Sequence, residues 1–208
     1  MPLSRRLLLA MPALAAAPAL AQTADPRMAE RGTGRPDAPV TVNEFFSLTC
    51  THCAAFHRTT FPEVKRDLIE TGAMRLVWVD FPLDQIALAA ACVARSLPAE
   101  RYEGFIGALL ANQDRWAFTR GDPLVELARM AALAGMPKPQ YDQVVADEAL
   151  KRAILEQRMA AEKEFSVQAT PSFSFQGGGG QGGGPVRNQS GNMPFERFRA
   201  LVQEVKPI

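Results

Sequence analysis

The chain has 208 residues, 47% of them apolar, with 23 basic and 22 acidic side chains, two histidines and three cysteines. The charges nearly cancel and gather into neither a basic stripe nor an acidic tail, so composition supports neither nucleic-acid binding nor a strongly charged partner. The length fits one domain with a sizeable core and room for an insertion.

In chain order, residues 1–21 read MPLSRRLLLAMPALAAAPALA, with Arg5 and Arg6 ahead of an apolar run that closes on Ala19-Leu20-Ala21. Charge, apolar core and a small-x-small site in that order predict a signal peptide cleaved before Gln22. The run falls short of the roughly 20 apolar residues of a membrane span, and Pro12 and Pro18 interrupt it. The paired arginines also resemble a twin-arginine signal, so Sec and twin-arginine export both fit. Export places the mature chain in the periplasm, where a vicinal cysteine pair can persist as a disulfide.

APVTVNEFF, residues 38–46, is apolar and β-branched and predicts a buried strand. From Cys50 to about Glu70 the pattern turns helical, with Phe61, Val64 and Leu68 on one face and a kink expected at Pro62. MRLVWVDF, residues 74–81, predicts a second strand. Residues 84–165 read as helical throughout: Tyr102, Phe105, Ile106, Leu109 and Leu110 form one stripe, Asp122-Pro123 a helix start, and Gly135 a stop. PSFSF, residues 171–175, predicts a short strand, the glycine-rich run 177–184 a hairpin loop, and Phe195, Phe198, Val202 and Val205 a last amphipathic helix after Asn192. Strands on both sides of the helical block imply one sheet completed across it. The fold expected is α/β, a thioredoxin-like sheet split into 22–83 and 166–208 by a helical insertion over 84–165.

VNEFFSLTCTHCAAFH, residues 42–57, holds two of the three cysteines and both histidines. A Cys-x-x-Cys pair directly after a strand and at the start of a helix is where a thioredoxin-like fold carries redox chemistry. Cys50 meets the helix N-terminus, where free N–H groups and the dipole favour a thiolate. His52, between the cysteines, can add a hydrogen bond or a positive charge. Cys53, one turn further in, suits a resolving thiol. A purely structural staple gains little from so short a loop. Cys50, His52, Cys53 and His57 are all metal-ligand types, but a zinc site draws a second pair from elsewhere, and the remaining thiol is Cys92 in an alanine-rich helix. Covalent haem needs histidine after the second cysteine, where Ala54 stands. No metal or cofactor is expected. Glu44, among Val42, Phe45 and Phe46, is either a buried carboxylate, costly if unpaired, or an outward-facing strand residue. His57 reads as a helix-surface residue sharing a face with Cys53, and Cys92 as a small buried hydrophobe.

VNEFFSLTCTHCAAFH, VDFPLD and ATPSFSF together resemble the DsbA-like periplasmic thiol:disulfide oxidoreductases, over roughly Pro36 to the end of the chain. Glu44-Phe45-Phe46, Cys50-x-x-Cys53 and Thr170-Pro171 carry the resemblance most strongly. The chain departs from the family at Thr51, where proline is common, and at GGGGQGGG, residues 177–184, where a short turn is usual. The resemblance implies a redox disulfide between Cys50 and Cys53 and a buried acid at Glu44 that accepts the Cys53 proton. It also implies a cis bond before Pro171 that leaves the Thr170 backbone to pair with an extended client. The implied function is oxidation of cysteine-containing exported proteins by a monomer that a membrane quinone-linked oxidase recharges. A disulfide isomerase or reductase is the nearer alternative, and a metal-binding carrier module the more distant one.

Overall fold

The computed structural model describes residues 25–178 and 184–207. The expected signal peptide, 1–21, and the middle of the glycine-rich run lie outside the described residues. Among the described residues, five strands form one sheet in the order β1-β3-β2-β4-β5: β1 Arg31–Thr33, β2 Val40–Phe46, β3 Arg75–Asp80, β4 Ser172–Gly177 and β5 Val186–Ser190. β2 and β3 run parallel, and every other pair is antiparallel. The sheet is thus completed across the helical block, with β4 docked on β2 so that Glu44 faces Phe173.

β2 is the central strand, buried at every position but Asn43, which explains its nearly unbroken apolar composition. The two-residue period divides its side chains. Val40, Val42 and Phe46 join the main core, and Phe45 joins a smaller cluster with Phe81, Ala161 and Val167 on the other face. Glu44 falls on the main-core side. α1, Thr51–Thr59, carries Cys53 and Phe56 into that core, and α9, Phe195–Val205, adds Phe198, Leu201 and Val202.

The helix after β2 does not run unbroken to Glu70. α1 ends at Thr59, α2 spans Phe61–Val64, and a π-type turn follows at Lys65–Ile69. Pro62 has no N–H to give the preceding turn. The chain re-forms its bonds around Thr60, whose carbonyl accepts from both Glu63 and Val64. The block between β3 and β4 consists of α3 Gln85–Ser96, α4 Ala99–Ala111, α5 Gln113–Trp116, α6 Pro123–Leu133, α7 Lys138–Val145 and α8 Glu148–Phe165. Asp84, Asp122 and Asp147 cap α3, α6 and α8 by accepting backbone N–H groups, and Gly135, at φ +89°, turns the chain after α6. The Tyr102–Leu110 stripe is buried as predicted. α9 starts after Pro194 rather than directly after Asn192.

β1 had no sequence signal, since Arg-Gly-Thr has no apolar period. Its pairing with β3 supplies the order instead. A Cβ on Gly32 would come within 2.7 Å of the Leu76 carbonyl, so only glycine allows this approach.

Candidate functional site

Cys50 is the N-cap residue of α1, in extended backbone conformation at φ −78° and ψ 117°. Its sulfur receives the Cys53 backbone N–H at 3.4 Å and lies 3.2 Å from the Thr170 carbonyl, to which the thiol donates. The Cys53 thiol donates to Cys50, and this bond does most to hold the Cys50 pKa down, at about 5. Burial opposes the shift, while the Thr170 side chain and the backbone N–H groups of Cys53 and His52 reinforce it. The Thr170 hydroxyl is buried and, among the described residues, has no hydrogen-bond partner. It can therefore turn to the thiolate once the sulfur stops donating to the carbonyl. Thr170 reaches Cys50 from a position 120 residues along the chain, through the cis bond before the buried Pro171.

Cys53 has the opposite environment. It is 0% exposed, against 8% for Cys50. Burial pushes its thiol far up, and the nearby Cys50 and Glu44 push the same way. One cysteine is thus set up as a thiolate and the other as a thiol, although they are one helical turn apart. All three cysteines are free thiols. Cys92, 0% exposed in α3, has its thiol raised to about 12 by burial.

Glu44 is 0% exposed, with Trp78 and Phe173 as its neighbours on the adjoining strands. It is not unpaired. His57 Nε2 lies 3.0 and 3.2 Å from its two carboxylate oxygens. This corrects the reading of His57 as a helix-surface residue: its side chain is 7% exposed and packs beside Phe56 and Phe61. Its place four residues after Cys53 was the available signal, because that spacing puts both on one helix face. His52, in contrast, is exposed, and its backbone N–H is what acts on Cys50.

A second residue gave no sequence signal. Gln113, buried at the start of α5, donates its amide to the carbonyls of Leu48 and Cys50 at 2.8 and 3.0 Å. The helical insertion thereby grips the redox turn. Thr49 adds a bond from the turn to Asp84, the cap of α3, at 2.6 Å. Among the described residues no group of three or more His, Cys, Asp and Glu side chains is placed to hold a metal ion, and no helix is long and apolar enough to cross a membrane.

A family model described as Thioredoxin matches residues 27–202. A protein of Rickettsia prowazekii, a protein-disulfide oxidoreductase by name, is 30% identical over 145 residues, which are 69% of this chain and 53% of that protein. The chain therefore spans about half the length of the curated relatives it matches. Among solved structures, alpha-DsbA1 of Wolbachia pipientis aligns with a TM-score of 0.77 at 27% identity, over 86% of this chain and 92% of that one. A protein-disulfide isomerase from Novosphingobium aromaticivorans shares the fold, with a TM-score of 0.69 at 20% identity over 84% and 96% of the two chains.

Proposed function

The chain belongs to the thioredoxin family, and from that premise we propose that it is a DsbA-like thiol:disulfide oxidoreductase acting through Cys50 and Cys53. The observation that carries the reading is the split between the two thiols: Cys50 lowered to about 5, and Cys53 raised by burial. A stabilised Cys50 thiolate favours the reduced enzyme, so the disulfide is a strong oxidant and the net direction is oxidation of clients.

In the oxidised enzyme a client thiolate attacks the Cys50 sulfur. The client–Cys50 bond forms and the Cys50–Cys53 bond breaks. Its electron pair leaves on Cys53, which takes up a proton. A second client thiolate then attacks the client sulfur, and Cys50 departs as a thiolate, a good leaving group because of its low pKa. Recharging runs the enzyme half backwards. The Cys50 thiolate attacks a disulfide of the recharging partner and expels one partner thiolate. Cys53 then loses its proton, attacks the Cys50 sulfur and expels the second partner thiolate, so the pair is oxidised and the partner reduced. Glu44 is the proton acceptor and donor for Cys53 in these steps. The Thr170 backbone, beside Cys50, is the surface for an extended client segment. Residues 1–21 support export to the periplasm, where the clients are cysteine-containing exported proteins, the recharging partner is a membrane quinone-linked oxidase, and the enzyme acts as a monomer.

The test is trapping. Cys50→Ala abolishes exchange. Cys53→Ala still joins clients but cannot release them through its own second thiol, and it accumulates mixed disulfides visible as dithiothreitol-sensitive bands on a non-reducing gel. Trapping by Cys50→Ala in place of Cys53→Ala reverses the assignment. The redox potential against glutathione separates an oxidase from an isomerase or reductase, because a value near thioredoxin's rules out the oxidising direction.

A further inference from the structure

Cys53 must gain and lose a proton in every cycle, yet it is 0% exposed, and so is Glu44 beneath it. Neither has a route of its own to water. His57 has one. It follows Cys53 by four residues on α1, and its Nε2 lies 3.0 and 3.2 Å from the Glu44 oxygens. A carboxylate that has lost its proton accepts from Nε2, and one that holds it donates to Nε2, so in either state one proton lies between the two side chains. Beyond Glu44, the ring borders a cleft of about 430 Å³ between α1 and α4, lined also by Arg58, Lys65, Glu100 and Glu103.

We propose that His57 is a proton-relay residue, carrying protons between Glu44 and the solvent of this cleft so that Cys53 is supplied without being exposed. The proposal rests on the reading of Cys50 and Cys53 as a redox pair. When a client thiolate opens the disulfide, the client sulfur is oxidised and Cys53 receives the electron pair. Cys53 takes the proton of the Glu44–His57 pair, and a proton from cleft water replaces it through the imidazole. When Cys53 attacks a mixed disulfide, its proton passes to Glu44 and leaves by the same path. The charged and titratable groups around His57 are Glu44 from β2, Cys53 and Arg58 from α1, Lys65 from the π-type turn, and Glu100 and Glu103 from α4. Lys65 and Glu103 pair with each other at 2.5 Å. His57 is therefore the group on this wall of the cleft that also bonds to Glu44.

The test isolates the Cys53 step in the full chain. Ellman's reagent loads Cys50 as a mixed disulfide with thionitrobenzoate, and Cys53 then expels a second coloured anion. His57→Gln retains an amide that can bond to Glu44 but cannot relay a proton. It is expected to slow the second release relative to the first by tenfold or more, approaching the roughly 10²–10⁴-fold range of general acid–base catalysis. His57→Ala leaves room on the cleft side, and free imidazole is expected to restore its second release in a dose-dependent manner while leaving His57→Gln slow. A purely structural His57 predicts the reverse, with His57→Gln releasing at the wild-type rate and imidazole without effect, and that result overturns the relay. If His57→Ala does not fold, the ratio of the two releases in His57→Gln still decides. A wild-type chain that never shows the second release overturns the redox reading itself, a failure distinguishable from failure of the relay.

Discussion

Cys50 is the residue whose chemistry the fold alters most usefully. A thiol with an ordinary value of 9.0 is brought to about 5 by the donors around it, and thiolate absorbance of the reduced protein should titrate with a midpoint near that value. The stability consequence has a definite sign. Because the folded value is depressed, the thiolate's contribution is full above the unfolded value near 9, shrinks as pH falls, and is gone below about 5. Reduced protein should therefore gain stability over oxidised protein as pH rises between those limits, a difference that paired thermal melts measure. His52→Ala tests where the depression originates. The backbone N–H at position 52 survives the substitution, so most of the shift should remain; a midpoint returned to the ordinary thiol range would assign it to the imidazole instead. Glu44→Gln should slow the steps in which Cys53 gains or loses a proton more than attack at Cys50, as stopped-flow comparison of the two half-reactions would show.

Among the elements, α1 and α5 together shape the redox turn. Gln113→Leu takes a donor away from two buried carbonyls. The Cys50 carbonyl keeps the Ala54 N–H, so the loss falls mainly on Leu48, and a cost of about 1–3 kcal/mol is expected for a buried polar group left unpaired. Urea unfolding should show a lower midpoint with an unchanged slope. This contact also marks the limit of what the sequence made legible. β2, β3, the start of α1 and the burial of the α4 stripe could be read because each depends on local periodicity or a cap residue. Gln113 lies 65 residues from Leu48, and no local pattern encodes such a distance. β1 depends wholly on β3, so its own three residues gave no sign of it. His57 was legible in part: the spacing from Cys53 gave its face, but its burial required knowing that Glu44 faces the same helix from the sheet below.

At the scale of the whole molecule, the insertion is fastened to the sheet by a buried ion pair. Arg95 of α3 is 1% exposed and Asp80 at the end of β3 is 2% exposed. The guanidinium donates to Asp80, to the carbonyls of Arg27 and Ala29, and to Gln157 of α8, while Tyr102 of α4 donates to Asp80. Arg95→Met should destabilise the fold by about 3–5 kcal/mol, the cost of leaving one member of a buried pair alone, whereas Arg35→Met, at an exposed pair with Asp37, should leave stability almost unchanged. Chemical denaturation of both variants checks the contrast. The same long-range construction affects the order of synthesis. Cys50 finds its Thr170 partner 120 residues later and its Gln113 clamp 63 residues later. A ribosome that has made only the first half of the chain has made neither the clamp nor the threonine. Until the final strands arrive, Cys50 lacks the Thr170 contribution to its low pKa, while the larger contribution of the Cys53 thiol comes from within the same helical turn. The thiolate forms within its own helical turn, but its surroundings are finished only when the last part of the chain closes over it.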